Sequence, residues 1–277
     1  MKQAAKLILA VSLAFGSGLS CADSFQEGLQ ATERGDYKTA VKIFLPLATK
    51  GRADAQVELG MAYYKGHGVR QDYPEAVKWF RRAADQGRAD AQVALGTAYY
   101  NGFGVAQDHP EAMKWFRRAA EQGMVDAEYN LGVAYHNGDG VPRNSREAMR
   151  WIRKAAHQGY ADAEFSLGVA YYQGDGVRQD PKKAVMWVRK AAEQGLIDAQ
   201  YNLGVAYVNG RGVRPNKVLA YMLFTLASRG GDSEAARVRD VIRTTMTPAE
   251  ISKGQELADG WKPGTSLPTE HDVLRGF

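Results

Sequence analysis

The sequence predicts an all-α chain built from two-helix units stacked in series. A 36-residue period runs from Gly51 to Gly231 without insertion, which is the signature of a repeat architecture. Within each period the apolar residues fall at i, i+3, i+4 spacing in two separate stripes. The chain has 30 glycines, and many of them punctuate those stripes at fixed places. The repeating landmarks are Leu59-Gly60, Leu95-Gly96, Leu131-Gly132, Leu167-Gly168 and Leu203-Gly204. Tyr63 and its equivalents follow, then a Gly-x-Gly-Val unit starting at Gly66, Gly102, Gly138, Gly174 and Gly210. Trp79, Trp115, Trp151 and Trp187 keep the same spacing, and Leu223 takes the fifth place.

Residues 1–22 are set apart by composition. Lys2 and Lys6 precede an apolar run from Leu7 to Phe15, a Gly-Ser-Gly breaker and small residues ending at Ala22. This predicts a secretory leader cleaved after Ala22, too short to span a membrane. The protein is then exported, to the periplasm or into the medium. Lipid anchoring through Cys21 is the alternative, although the aliphatic residue of a lipoprotein signal stands one place late, at Leu19. Cys21 is the chain's single cysteine, so neither an internal disulfide nor a cysteine-built metal cluster can form. Removing the leader lowers the formal charge from +5 to +3, too mild for nucleic acid or an anionic membrane surface.

Residues 23–51 predict an N-terminal helix pair with a short connection, Arg34-Gly35-Asp36-Tyr37. Residues 52–231 hold five units, 52–87, 88–123, 124–159, 160–195 and 196–231. In the first, Asp54 is the expected N-cap of a helix carrying Ala55, Leu59, Ala62 and Tyr63. Gly66 stops it, because glycine adopts left-handed backbone angles cheaply. Asp72 to Glu75 has the spacing of a capping box for the second helix, repeated at Asp108 to Glu111 and Asn144 to Glu147. Ala76, Trp79, Phe80, Ala83 and Ala84 form the second stripe. Gly60 lies inside the first helix at a cost of about 1 kcal/mol, so its recurrence predicts close approach of a neighbouring helix. Residues 232–261 predict capping helices, the last starting at Thr247. Residues 262–277, with two prolines and two glycines, predict a mobile tail.

The unit Ala55-x3-Leu59-Gly60-x2-Tyr63-x2-Gly66-x-Gly68-Val69, followed by Ala76, Trp79, Ala83-Ala84 and Gly87, resembles the Sel1-like repeat. That family is related to the tetratricopeptide repeat and has a longer loop between its helices. Residues 23–51, with Gly35-Asp36-Tyr37 and Ala40, resemble a tetratricopeptide unit. The resemblance implies an all-α, right-handed α/α superhelix, or solenoid, acting as a non-enzymatic scaffold or adaptor. The implied partner is an extended segment of another envelope or secreted protein. Two other roles are implied by family members: binding or hydrolysis of cell-wall material or β-lactams, and host interaction after secretion. The β-lactam members carry a disulfide in each repeat, which this chain lacks.

The same resemblance places the ligand surface on the first helices, at the variable columns. The candidate residues are Glu58, Tyr64, Tyr100, Asn101, Tyr129, Asn130, His136, Asn137, Phe165, Tyr172, Gln173, Tyr201, Asn202 and Asn209. Amides pair with a peptide backbone in both directions, and aromatic rings offer flat area with little entropy to lose. The alternative is that the rings fill space between neighbouring first helices. On the second helices the basic pairs Arg81-Arg82, Arg117-Arg118, Arg153-Lys154 and Arg189-Lys190 mark either a solvated outer face or a surface for an acidic partner.

Catalytic motifs are not found. The five histidines form no HExxH pair, and no nucleophile elbow, Walker loop or dinucleotide fingerprint occurs. Gly66-x-Gly68 recurs in every unit, so it reads as an interhelical turn with an exposed tip at His67, Phe103, Asp139, Asp175 and Arg211. No cofactor, metal or membrane span is expected, and a capped array of this kind predicts a monomer.

Overall fold

The computed structural model describes residues 21–274, with side chains from Ser24. The expected leader, its cleavage at Ala22 and the alternative lipid anchor at Cys21 lie outside the described side chains, as do residues 275–277. The described residues form fifteen helices and no strand. They divide into two compact units, the first ending at Gln86 and the second beginning at Gly87.

Unit 1 contains α1 (Cys21–Glu33), α2 (Tyr37–Thr49), α3 (Ala53–Lys65) and α4 (Tyr73–Asp85), each packed on the next. Its core joins Ala31, Phe44 and Leu47 to Leu59, and includes Trp79 from α4. Unit 2 contains α5 (Ala89–Asn101), α6 (His109–Glu121), α7 (Val125–Asn137), α8 (Ser145–His157), α9 (Ala161–Gln173), α10 (Pro181–Glu193), α11 (Ile197–Asn209) and α12 (Lys217–Arg229). It ends with α13 (Ser233–Arg243), α14 (Pro248–Gly260) and α15 (Glu270–Leu274). Consecutive helices again pack in series, so the all-α, helix-turn-helix repeat class follows directly from the observed contacts.

Close approach inside each unit is built on the helical glycine. A Cβ on Gly60 would lie 2.6 Å from the Phe80 ring, and one on Gly96 2.7 Å from the Phe116 ring. Ile152, Val188 and Phe224 fill the same place against Gly132, Gly168 and Gly204. Each large residue therefore has its own bare stretch of backbone, and the leucine beside each glycine is fully buried. The tryptophans work across repeats. Trp151 joins the cluster of Met113, Phe116 and Leu131, and Trp187 joins that of Met149, Ile152 and Leu167. The turn glycines explain the loop. Gly66 ends α3 in the left-handed region at φ 72°. The second glycine of the turn stands where any Cβ would strike backbone of the preceding repeat, as Gly140 does against His109 and Gly176 against Ser145.

The caps differ from expectation in two ways. The chain enters α3 through Gly51 with Arg52 extended at φ −67°, ψ 112°, and Gln56 N–H donates to the Arg52 carbonyl. Arg52, not Asp54, is thus the N-cap residue, and it makes no side-chain cap bond. Asp54 sits in the first turn, where a carboxylate favours the positive end of the helix dipole. Second helices are capped as expected by Asp72, Asp108 and Asn144, but the glutamates do not reach back. Glu75 and Glu147 turn to Lys78 and Arg150, and Glu111 accepts from Lys114 and the Trp115 indole. Both halves of a capping box are present at Thr247 and Glu250.

The C-terminal stretch is packed where the sequence predicts a mobile tail. Gly264 N–H donates to the Glu193 carbonyl at 2.7 Å, and Leu267 N–H to Glu193 Oε1 at 3.0 Å. Leu267 and Val273 are buried in the same cluster as α12. Every residue from Val218 to Ala227 is buried, because α13, α14 and α15 cover α12. Aperiodic sequence hid this docking, since it rests on two apolar side chains, one glutamate and the Arg189 guanidinium, which donates to the Leu267 and Pro268 carbonyls.

A row of buried polar side chains runs through the first helices at Gln56, Gln92, Glu128, Glu164 and Gln200. The glutamine that ends each second helix reaches four of them. Gln86, Gln122, Gln158 and Gln194 donate to Gln56, Gln92, Glu128 and Glu164 at 2.8, 2.9, 2.7 and 2.8 Å. Gln56 in turn donates to the Ala48 carbonyl at 3.1 Å, and Gln200 to the Ala192 carbonyl at 3.4 Å.

Candidate functional site

The last turn of each first helix carries one of the candidate columns, Tyr64, Tyr100, His136, Tyr172 and Val208. In unit 2 its members reach the turn of the following repeat. The Tyr100 hydroxyl donates to Asp139 Oδ2 at 2.6 Å, and Asn137 Nδ2 donates to the same oxygen at 3.0 Å. Those two bonds, the tyrosine's first, hold the Asp139 carboxyl below the usual carboxylate range. The Tyr172 hydroxyl donates to the Arg211 carbonyl at 3.1 Å, and the Arg211 guanidinium lies over its ring. Burial pushes both phenols above their ordinary value. The turn residues Asp139, Asp175 and Arg211 are therefore contact points between repeats and not free tips.

His136 interrupts this column. Its Nδ1 lies 3.3 Å from Asp175 Oδ2, but the imidazole is shorter than a phenol and leaves space behind it. A cavity of about 350 Å³ opens there, walled by Val133, Met149, Ile152, Phe165 and Val169. His136, Ser166, Gln173 and Asp175 give it a polar margin. Unit 1 repeats the geometry where Thr32 stands in the tyrosine position. There a cavity of about 180 Å³ is walled by Val41, Phe44 and Met61, with Glu58, Lys65 and His67 beside it.

The remaining candidates divide between packing and local bonding. The Tyr129 ring centroid is 5.1 Å from that of Tyr160, and Tyr201 is 5.6 Å from Phe224. Tyr64 meets Tyr73 edge-on at 5.3 Å. Asn101 and Asn202 donate to carbonyls one turn back, of Thr97 and Asp198. Asn130 is half-buried and Asn209 exposed. The structure thus gathers His136, Phe165 and Gln173 into one cavity, and brings Tyr100 and Asn137 together on Asp139. Ser166, Val133 and Val169 stand in the variable first-helix columns of residues 58 and 61, where the resemblance places the ligand surface, whereas sequence reasoning missed Met149, Ile152 and Asp175 as part of it. The available signal was the single histidine in a tyrosine column, paired with an aspartate 39 residues on.

The basic ladder has internal work. Arg82, Arg118, Lys154 and Lys190 lie over the rings of Trp79, Trp115, Trp151 and Trp187 at 4.5, 4.6, 4.2 and 4.6 Å. Arg117 and Arg189 donate to the Tyr135 and Tyr207 hydroxyls. Among the described residues no group of His, Cys, Asp and Glu is placed to hold a metal ion. No described helix is long and apolar enough to cross a membrane.

The Sel1 repeat family matches residues 53–87, 89–124, 125–160, 161–196 and 197–232. No curated protein matches the sequence. Among solved structures, the chain is similar to a Sel1 repeat protein from Oxalobacter formigenes, at 30% identity and TM-score 0.73 over 92% of this chain and 96% of that one. It is also similar to c5321, a protective antigen present in uropathogenic Escherichia coli strains that displays an SLR fold. That match has 30% identity and TM-score 0.79 over 93% of this chain, which spans 60% of the antigen's chain. Five in-register matches over more than half the sequence, on a framework of glycine-notched helix pairs, have one reading: the chain belongs to the Sel1 repeat family.

Proposed function

We propose that the protein is an exported, non-enzymatic adaptor that binds an extended segment of another envelope protein along the first-helix face of unit 2. Sel1 repeats generally mediate protein–protein interaction and typically act as non-catalytic scaffolds. The observation that carries the finer reading is the cavity at His136. It is apolar inside and polar at its margin, where the exposed amide of Gln173 stands. One apolar side chain of the bound segment fills it, and neighbouring amides take up the segment's backbone groups. The leader-like residues 1–22 support action outside the cytoplasm, in the periplasm.

A photoreactive residue placed at Gln173 or at Asn130 tests this in an envelope extract. The expected result is the same protein adduct from both sites, with none from the control site Lys182 on α10. Adducts of equal yield from Lys182, or none from either first-helix site, would overturn the reading. A second reading, a secreted factor that meets a host, is favoured by the similarity to the protective antigen. Fractionation separates the two, since the host-facing role requires the protein in the medium or at the cell surface.

A further inference from the structure

The buried polar row holds glutamine in three repeats and glutamate in two, Glu128 and Glu164. A glutamine satisfies both of its neighbours. Gln56 accepts from Gln86 through its oxygen and donates through its nitrogen to the carbonyl of Ala48, in the preceding helix pair. Gln200 makes the same donation to Ala192. At the two glutamates the accepting half is intact, from Gln158 at 2.7 Å and Gln194 at 2.8 Å. The donating half is different, because an ionised carboxylate only accepts. The carbonyls at the corresponding register are those of Ala120 and Ala156, and a carboxyl can donate to them only when it carries its proton.

We propose that Glu128 and Glu164 are acid-operated bolts between repeats. Neutral, each donates to the preceding repeat as glutamine does; ionised, each loses that bond, so unit 2 is tightest in acid and loosens as pH rises.

The surroundings favour the neutral form. Each glutamate is at most 4% exposed. Burial is the largest influence on both and raises each carboxyl above its ordinary value. Among the described residues the groups opposing this at Glu128 are Lys154 and Gln158, both from α8's end of the repeat. At Glu164 they are Gln194 and Lys190, while Glu193 adds to the rise. On the preceding-repeat side stand the buried alanines 119 and 120 of α6 and 155 and 156 of α8. A carboxyl that ionises later in the folded chain than in the unfolded one takes up protons on folding. Its contribution is then fully favourable below the unfolded value and is lost as pH rises through the folded value.

Thermal unfolding of the wild type, Glu128→Gln, Glu164→Gln and the double variant, from pH 4 to pH 8, tests the proposal. At pH 4 the four proteins should unfold together. Above pH 7 each replacement should raise Tm by about 2–4 °C, and the two should add. Gln200→Glu should do the reverse, lowering Tm at neutral pH and leaving it nearly unchanged at pH 4. Carbon-13 NMR of the wild-type glutamate carboxyls gives a second readout that needs no variant. Two of them should ionise later than the rest. Glutamates that all titrate in the ordinary range, a Tm difference that does not change with pH, or glutamine variants less stable at neutral pH would overturn the proposal.

Discussion

At the scale of single residues, His136 is the departure that opens a cavity. Tyr100 occupies the same register and bonds Asp139, whereas His136 reaches Asp175 at 3.3 Å with a smaller ring and leaves the cavity beside it unfilled. His136→Tyr should place a phenol in the cavity with Asp175 as its acceptor. We expect this variant to gain about 1 kcal/mol of stability while weakening partner binding about tenfold or more. Calorimetry and a binding titration read the two effects separately. A variant that loses both stability and binding would show the cavity to be a packing fault. The amides of Asn101 and Asn202 carry a related lesson. Their residue type pointed to peptide recognition, yet each already donates to its own helix. A side chain's chemistry was legible in the sequence, but what it bonds to was not.

At the scale of the helix, both stripes, the loop glycines and the second-helix caps could be read directly. Repetition makes each position testify five times, and Gly96 against Phe116 shows the small-against-large packing that the pattern implied. The first-helix caps were misread because the N-cap position falls directly after the turn glycine, on Arg52, Arg88, Met124, Tyr160 and Leu196, none of which makes a side-chain cap bond. This yields a paired prediction for unit 2. Asp180 accepts from the N–H groups of Lys182 and Lys183, so Asp180→Ala should cost about 0.5–2 kcal/mol. Asp162 caps no helix end, and Asp162→Ala should stay within about 0.5 kcal/mol. Denaturant midpoints measure both. Equal losses would argue that first-turn charge, and not the cap bond, sets the stability of these helix starts.

At the scale of the whole molecule, what escaped the sequence lies where the period ends. Residues 262–274 have no repeat to speak for them, and their docking rests on Leu267, Val273 and backbone bonds to Glu193. Deleting residues 262–277 should therefore lower Tm and speed amide exchange in α10 and α12. A dispensable tail would leave both unchanged. The cavity was equally hard to foresee, because it is a hollow between helices whose existence depends on one shorter ring. The family could be recognised from the spacing alone, while the cavity lies where that spacing is kept and the residue type is not.

The tryptophans carry a consequence for how such a chain changes over generations. Trp151 and Trp187 complete hydrophobic clusters that begin one repeat earlier. A duplication or loss of one 36-residue segment, wherever its breakpoints fall, still delivers each ring to a matching hollow. An insertion of any other length leaves a ring without one. A change in copy number by whole periods is therefore compatible with this packing, whereas a change of phase is not.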